Sequence, residues 1–201
     1  KTHPLFVLQS SQIDGLSNTY YANTNIPILR ERTRTMNVTF GFSYMDSESN
    51  SFGTQLYKDH VRSFDVGTTF SNADRWYGSN SLSANFRQGL PLFGYNQDTN
   101  PDTATTSRPG GRADYSKLTG SASRLQAIKG PWSLYGLLKG QWAFNPLLSS
   151  EQFSWGGSSM GRGYDSSELI GDRGIGGTME LRYDLGIGKV LQSLQLYTFY
   201  D

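Results

Sequence analysis

The sequence predicts an all-β protein, a transmembrane antiparallel β-barrel, from three observations. Apolar and polar residues alternate with a period of two, as in Val38–Met45, which reads Val-Thr-Phe-Gly-Phe-Ser-Tyr-Met. Because successive side chains of a strand point to opposite faces, such a strand has one apolar and one polar face. Aromatic residues make up 13% of the chain and 23 glycines are present, which is typical of β structure with many turns. The third observation is the pattern of connection lengths.

About nine strands are predicted, with bounds set by the alternation and by turn residues. Met179, Leu181 and Tyr183 form the apolar face of one late strand, and Leu194 and Leu196 form that of the last. The predicted strands cover residues 4–11, 18–28, 34–46, 59–72, 78–90, 114–129, 132–146, 174–186 and 190–201.

The connections between these strands alternate between short and long. The short ones are Leu29–Thr33, Asn72–Tyr77, Gly130–Pro131 and Gly186–Val190, and the long ones are Asp46–Lys58, Pro91–Asp114 and Pro146–Arg173. Outer-membrane barrels combine short periplasmic turns with longer extracellular loops. A soluble β-sandwich also has alternating strands, but it has no reason to sort its loops by length onto one end. The barrel is therefore the preferred fold.

The composition excludes several classes of protein. No run of about 18 apolar residues is present, so a transmembrane helix is not expected. The formal net charge of +1 gives no electrostatic reason to expect nucleic-acid binding. Cysteine is absent, and the two histidines, His3 and His60, have no carboxylate cluster at ligand spacing. We therefore expect no metal site and no cofactor.

The sequence contains a match to one catalytic motif but lacks the other features that the motif requires. Gly157–Gly161 matches the Gly-x-Ser-x-Gly pattern of a nucleophile elbow. That elbow requires a strand-to-helix turn and a later histidine, and no histidine follows His60. The sequence therefore gives no reason to expect an enzyme.

The most informative segment is the glycine-rich stretch after residue 150. It contains Arg162-Gly163-Tyr164, then Gly171-Asp-Arg-Gly174, followed by a strand that includes Glu180-Leu-Arg182. These motifs resemble the barrel of the two-partner secretion transporters, the haemolysin secretion/activation proteins of ShlB/FhaC/HecB type. That family lies in the superfamily that includes the BamA barrel-assembly insertase. Upstream, Asn25–Arg30 resembles a strand-end pattern of the same family.

The resemblance implies a barrel of about sixteen strands, of which this chain would supply about nine. Residues 1–201 are accordingly expected to be a portion of the barrel domain, with the POTRA domains of the family lying outside it. In the family, the loop that corresponds to residues 147–173 folds back into the lumen. Arg162, Gly163 and Tyr164 would form its tip.

The resemblance also implies a partner for the tip on the inner wall. The segment Leu196–Asp201 resembles the family pattern of an aromatic residue two positions before an inward-facing aspartate, so a salt bridge between Arg162 and Asp201 is expected. A buried guanidinium requires such a carboxylate. By strand parity, other side chains are expected to face the lumen with Asp201: Glu180, Arg182, Asp184, Tyr197, Phe199 and Lys139.

What the family does defines the expected function. The resemblance implies a monomeric pore in the outer membrane of a Gram-negative bacterium, in contact with lipid and lipopolysaccharide, which exports a large secreted partner exoprotein. Two alternatives within the superfamily are an insertase of BamA type and a barrel fused to a passenger enzyme. A passive porin, from another class, also remains open.

Overall fold

The computed structural model describes residues 13–97, 105–185 and 194–201. Ten strands follow in order: β1 Ile13–Arg30, β2 Arg34–Ser51, β3 Thr54–Ala73, β4 Gly78–Gly89, β5 Ser116–Ala127, β6 Trp132–Ala143, β7 Phe153–Trp155, β8 Leu169–Gly171, β9 Gly174–Leu185 and β10 Leu194–Tyr200. Eight of them form one sheet in the order β1-β2-β3-β4-β5-β6-β9-β10, and each pair of neighbours is antiparallel. The short strands β7 and β8 form a separate hairpin.

The all-β prediction is confirmed, and eight of the predicted strands correspond to the eight strands of the large sheet. The predicted strand at residues 4–11 lies outside the described residues, as do the turn at 186–190 and the start of the last strand. Over the described part of the chain, β1 and β10 are the edges of the sheet, which is not closed. No helix in that part is long and apolar enough to cross a membrane.

The predicted long loop at Asp46–Lys58 is wrong. Strands β2 and β3 continue through it, with Glu48 opposite Lys58, and a two-residue turn joins them. Both turn residues have positive φ, 50° at Phe52 and 75° at Gly53, as in the tight hairpin turns that match strand twist. The segment is polar at most positions, a pattern that predicts a loop. Backbone pairing holds it as a hairpin instead, and Asp46 contacts His60 on the facing strand at 2.6 Å.

Replacement of Gly53 by alanine should loosen this hairpin. A side chain at positive φ costs about 1 kcal/mol, so amide exchange across residues 47–58 is expected to accelerate roughly fivefold. Hydrogen-exchange mass spectrometry measures this directly. Gly136→Ala is the matched control, because an added Cβ meets no atom within 4 Å there and the φ of Gly136 is not positive. Equal exchange in the two variants would contradict the assignment of the turn.

The large sheet has two chemically different faces. The polar face carries Asp65, Arg87 and Lys117, which are directly opposite one another on β3, β4 and β5. The apolar face is formed by the alternate residues, among them Leu118 and Trp142, and its large side chains stay well exposed, between 40% and 53% for Phe64, Phe86, Leu118 and Trp142. A contiguous exposed apolar surface of this kind is what a membrane-spanning barrel presents to lipid.

The connection from β3 to β4 shows how the short turns are held. Asp74 accepts hydrogen bonds at 3.0 Å from the backbone amides of Trp76 and Gly78. Arg124 of β5 also contacts the same carboxylate at 2.6 Å, and this hydrogen bond lowers the pKa of Asp74 to about 2. The carboxylate therefore remains charged at every physiological pH, and the turn stays attached to the neighbouring strand.

Candidate functional site

Residues 144–173, between β6 and β9, lie against the polar face of the sheet. They contain a 3₁₀ turn at Ser149–Glu151 and the β7–β8 hairpin. The hairpin packs on bare backbone: a Cβ added at Gly176 of β9 would lie 2.8 Å from the Trp155 ring and 3.0 Å from Met160. A Cβ at Gly174 would likewise collide with the Phe153 ring. Because the two glycines have no side chain, the aromatic residues of the hairpin pack directly against the backbone of β9.

The tip of this loop carries Arg162 to the wall of the sheet. Its Nη2 lies 2.8 Å from Asp201 Oδ1, while its backbone N and its Nε donate to Asp201 Oδ2 at 2.7 and 3.1 Å. The carboxylate thus binds both the side chain and the main chain of one residue. The two side chains are 14% and 4% exposed, so the pair is largely shielded from water.

A second carboxylate and a hydroxyl complete the site around the guanidinium. Arg162 Nη1 lies 2.5 Å from Glu180 Oε1, and its Nη2 donates to Thr178 Oγ1 at 2.5 Å. The hydrogen bond to Asp201 is the main cause that raises the pKa of Arg162 above its ordinary value. The site therefore holds a permanent cation between two carboxylates.

Aromatic side chains of β10 surround the same guanidinium. The Arg162 Cζ lies 3.8 Å from the centre of the Phe199 ring and 5.9 Å from that of Tyr197, within the range of cation–π attraction. Arg182 contacts the site indirectly, because its Nη2 lies 2.6 Å from Glu180 Oε2. Loop tip, β9 and β10 are thus joined through one arginine.

The other two residues of the tip have different surroundings. Gly163 has a φ of +108°, a conformation that L side chains rarely adopt, so the turn beside Arg162 requires glycine. Tyr164 is 59% exposed, and its ring lies 4.9 Å from that of Trp155, which ties the tip to the hairpin.

Two of the residues expected to face the lumen lie outside this cluster. Asp184 accepts a hydrogen bond from Gln195 at 2.6 Å, near the far end of β9. Lys139 is on β6, opposite Gly176 of β9, and it shares the polar face with Glu180. The structure brings neither of them into contact with Arg162.

The base of the loop is held by a second charged cluster, which the sequence pattern does not predict. Glu151 Oε2 lies 2.7 Å from Lys117 Nζ and 3.6 Å from Arg87 Nη1, and Arg87 contacts Asp65 at 3.4 Å. Lys117 also donates to the main-chain oxygen of Glu151 at 2.7 Å. Strand parity predicts that Arg87 and Lys117 share a face. No periodicity extends into the loop, so nothing in the sequence indicated Glu151.

Asp172 joins the two ends of the loop. Its carboxylate accepts hydrogen bonds from the Leu147 backbone amide at 3.3 Å and from Gln152 Nε2 at 3.2 Å, and it forms an ion pair with Arg108. Together with the Glu151 cluster, these contacts fix where the loop leaves and rejoins the sheet.

The fold and the loop define the class of protein. An antiparallel sheet with an exposed apolar face and a charged, loop-bearing polar face is a segment of a membrane β-barrel. Residues 5–201 match the family model described as Haemolysin secretion/activation protein ShlB/FhaC/HecB. The chain belongs to this family, and it is part of a barrel in the outer membrane of a Gram-negative bacterium.

Individual relatives agree with this assignment. The Outer membrane transporter CdiB of Dickeya dadantii (strain 3937) is 25% identical over 170 residues, which cover 84% of this chain and 30% of that protein. The fold is similar to that of CdiB from Escherichia coli, with a TM-score of 0.75 and 21% identity over 86% of this chain and 32% of the other. For CdiB from Acinetobacter baumannii the values are 0.67 and 16%, over 92% and 31%. The chain thus spans about a third of the length of these relatives.

Proposed function

We propose that this chain forms part of an outer-membrane pore that exports a secreted partner protein by two-partner secretion. The partner is expected to be a large exoprotein of haemolysin, adhesin or toxin type. In this proposal the polar face lines the lumen, the apolar face contacts lipid, and residues 144–173 fold into the lumen. The end of the sheet with the long loops faces the cell exterior, as in other outer-membrane barrels.

The observation that carries the proposal is the attachment of Arg162 to two strands at once. A passive porin needs only a hydrated channel, and an inner-wall tether for a loop tip adds nothing to diffusion through it. A transporter for a polypeptide must close its lumen at rest and clear it during passage. The base of the loop is packed into a hydrophobic cluster through Leu147 and Leu148, whereas its tip is held by a few specific contacts of Arg162, which supports that role.

The test is to remove the tip while keeping the rest of the loop. Residues 156–168 are replaced by Asn-Gly, which can join the paired residues Trp155 and Leu169 in a two-residue turn. Glu151, Phe153 and Asp172 remain, so the anchored base is preserved. In the full-length transporter expressed with its partner, export to the medium should fall to the level of a transporter-free strain.

The control for folding is heat-modifiable gel mobility, which reports a closed barrel independently of export. A folded variant that still exports its partner at the original rate would reject the proposal. Planar-bilayer conductance separates the porin alternative: a steady open conductance in the unmodified protein would favour a porin, whereas a conductance that rises only after the tip is removed favours a gated transporter.

A further inference from the structure

A groove crosses the apolar face between β4, β5, β6 and β9. Its floor is a row of small residues, Ala84, Gly120 and Gly140, which lie opposite one another on adjacent strands. Leu118, Trp142 and Ile175 form its walls. Its volume of about 630 Å³ lies within the roughly 300–1,000 Å³ of sites that hold small molecules.

The groove lies within paired strands, away from both edges of the sheet. Strands β4, β5 and β6 each have a hydrogen-bonded neighbour on either side. Further barrel strands would pair with the edge strands β1 and β10, so they would not cover the groove. In the membrane its surroundings are the hydrocarbon chains of lipids.

One end of the groove carries a cation. Arg173 directly precedes β9 at the long-loop end of the sheet and is one of the lining residues. Its guanidinium carbon lies 4.2 Å from the centre of the Trp142 ring, and its Nε donates to the Ala143 oxygen at 2.9 Å. Among the described residues, no carboxylate lies within ion-pair distance of it. Arg173 is exposed, so its remaining guanidinium donors are available to a ligand of negative charge.

Near the short turns, at the opposite end of the sheet, an arginine is paired with a carboxylate of the chain itself. Arg124 of β5 lies on the same apolar face as the groove, and it contacts Asp74 at 2.6 Å. Arg124 thus has a carboxylate partner within the chain, whereas Arg173 has none among the described residues.

We propose that this groove, with Arg173 at its outer end, binds a phosphorylated glycolipid of the lipopolysaccharide class. A phosphate would accept hydrogen bonds from Arg173, and one acyl chain would lie along the floor of glycines and alanine. Trp142 would sit at the level where headgroup and hydrocarbon meet, as aromatic residues of barrels do. The placement of Arg173 at the outer side of the membrane rests on the proposed function. Binding of the lipid in the groove does not depend on protein export.

The experiment measures retention of Kdo₂–lipid A by the purified full-length transporter, using native mass spectrometry in detergent. Arg173→Gln removes the charge, and Gly140→Leu fills the floor. Arg173→Gln should lower glycolipid retention roughly tenfold, the scale of a lost charged hydrogen bond. Gly140→Leu should also lower it, because the added side chain occupies the place of the acyl chain. The controls are Arg75→Gln, an arginine 4.7 Å from the Trp76 ring at the short-turn end, and Gly136→Leu, on the same strand and face as Gly140.

Retention reduced in both test variants and unchanged in both controls supports the site. Equal retention in all four variants overturns it. Phosphatidylglycerol that competes as well as unlabelled glycolipid also overturns it, because the groove would then be a general anionic-lipid surface. Gel mobility confirms folding of each variant, and export is measured separately, so a failed lipid site and a failed secretion function give different results.

Discussion

Replacement of Arg162 by alanine is expected to reduce export of the partner by at least roughly tenfold while leaving the barrel folded. The substitution removes the side-chain contacts to Asp201, Glu180 and Thr178 together, along with the stacking on Phe199, and leaves the backbone hydrogen bond to Asp201. Shielded charged hydrogen bonds of this kind are worth about 2 kcal/mol after allowance for the hydrated lumen, or roughly a 30-fold shift between bound and released tip. The readout is partner protein in the medium, quantified against total partner.

A double-mutant cycle tests whether the pair acts as one unit. Asp201→Asn should lose export to a similar extent, and Arg162→Ala with Asp201→Asn should be little worse than either alone. Additive losses would show that the two residues act separately. A simple charge exchange is a poor control, because a carboxylate at position 162 would face Glu180; the exchange requires Glu180→Gln as well.

Replacement of Glu151 by alanine is expected to have the largest effect on the loop itself. It leaves Lys117, 10% exposed, without its carboxylate on the polar face. An uncompensated, largely buried charge costs about 3 kcal/mol, so opening of the loop should become on the order of 100-fold more frequent. Trypsin cleavage after Arg162 and Arg173 in the folded barrel measures this opening.

The matched control removes both charges. Glu151→Leu with Lys117→Met replaces the ion pair by apolar residues of similar size, which is often neutral for stability. Arg87 keeps its contact with Asp65 in that variant. Trypsin resistance should therefore return towards the original level. If the double variant is cleaved as fast as Glu151→Ala, the cluster does not hold the base of the loop.

The sequence was sufficient for the sheet because membrane strands leave a strong signal. Lipid on one side and water on the other impose alternation residue by residue, and the strands before and after the loop were predicted to within a few residues. The hairpin at Asp46–Lys58 was missed because it is polar at most positions, so its alternation no longer separates two environments. Its Phe52–Gly53 turn becomes recognisable only from the backbone.

The candidate site was predictable only in part for a related reason. Glu180 lies on a strand and Asp201 directly follows one, so parity assigns a face to each, and Arg162 lies in a motif that resembles the family. Glu151 lies in a 3₁₀ turn with no repeating pattern around it. Its pairing with Lys117 depends on how the loop folds back over the sheet, which is a tertiary arrangement that local sequence does not encode.

The glycines at positions 174 and 176 have an evolutionary consequence. Since the aromatic residues at 153 and 155 rest directly on their main chain, a bulkier residue at either glycine would displace the hairpin. Recombination that transferred residues 144–173 alone into a relative with larger side chains at those places would therefore give a misfitted chimera. The heritable module is the loop together with the strand that follows it.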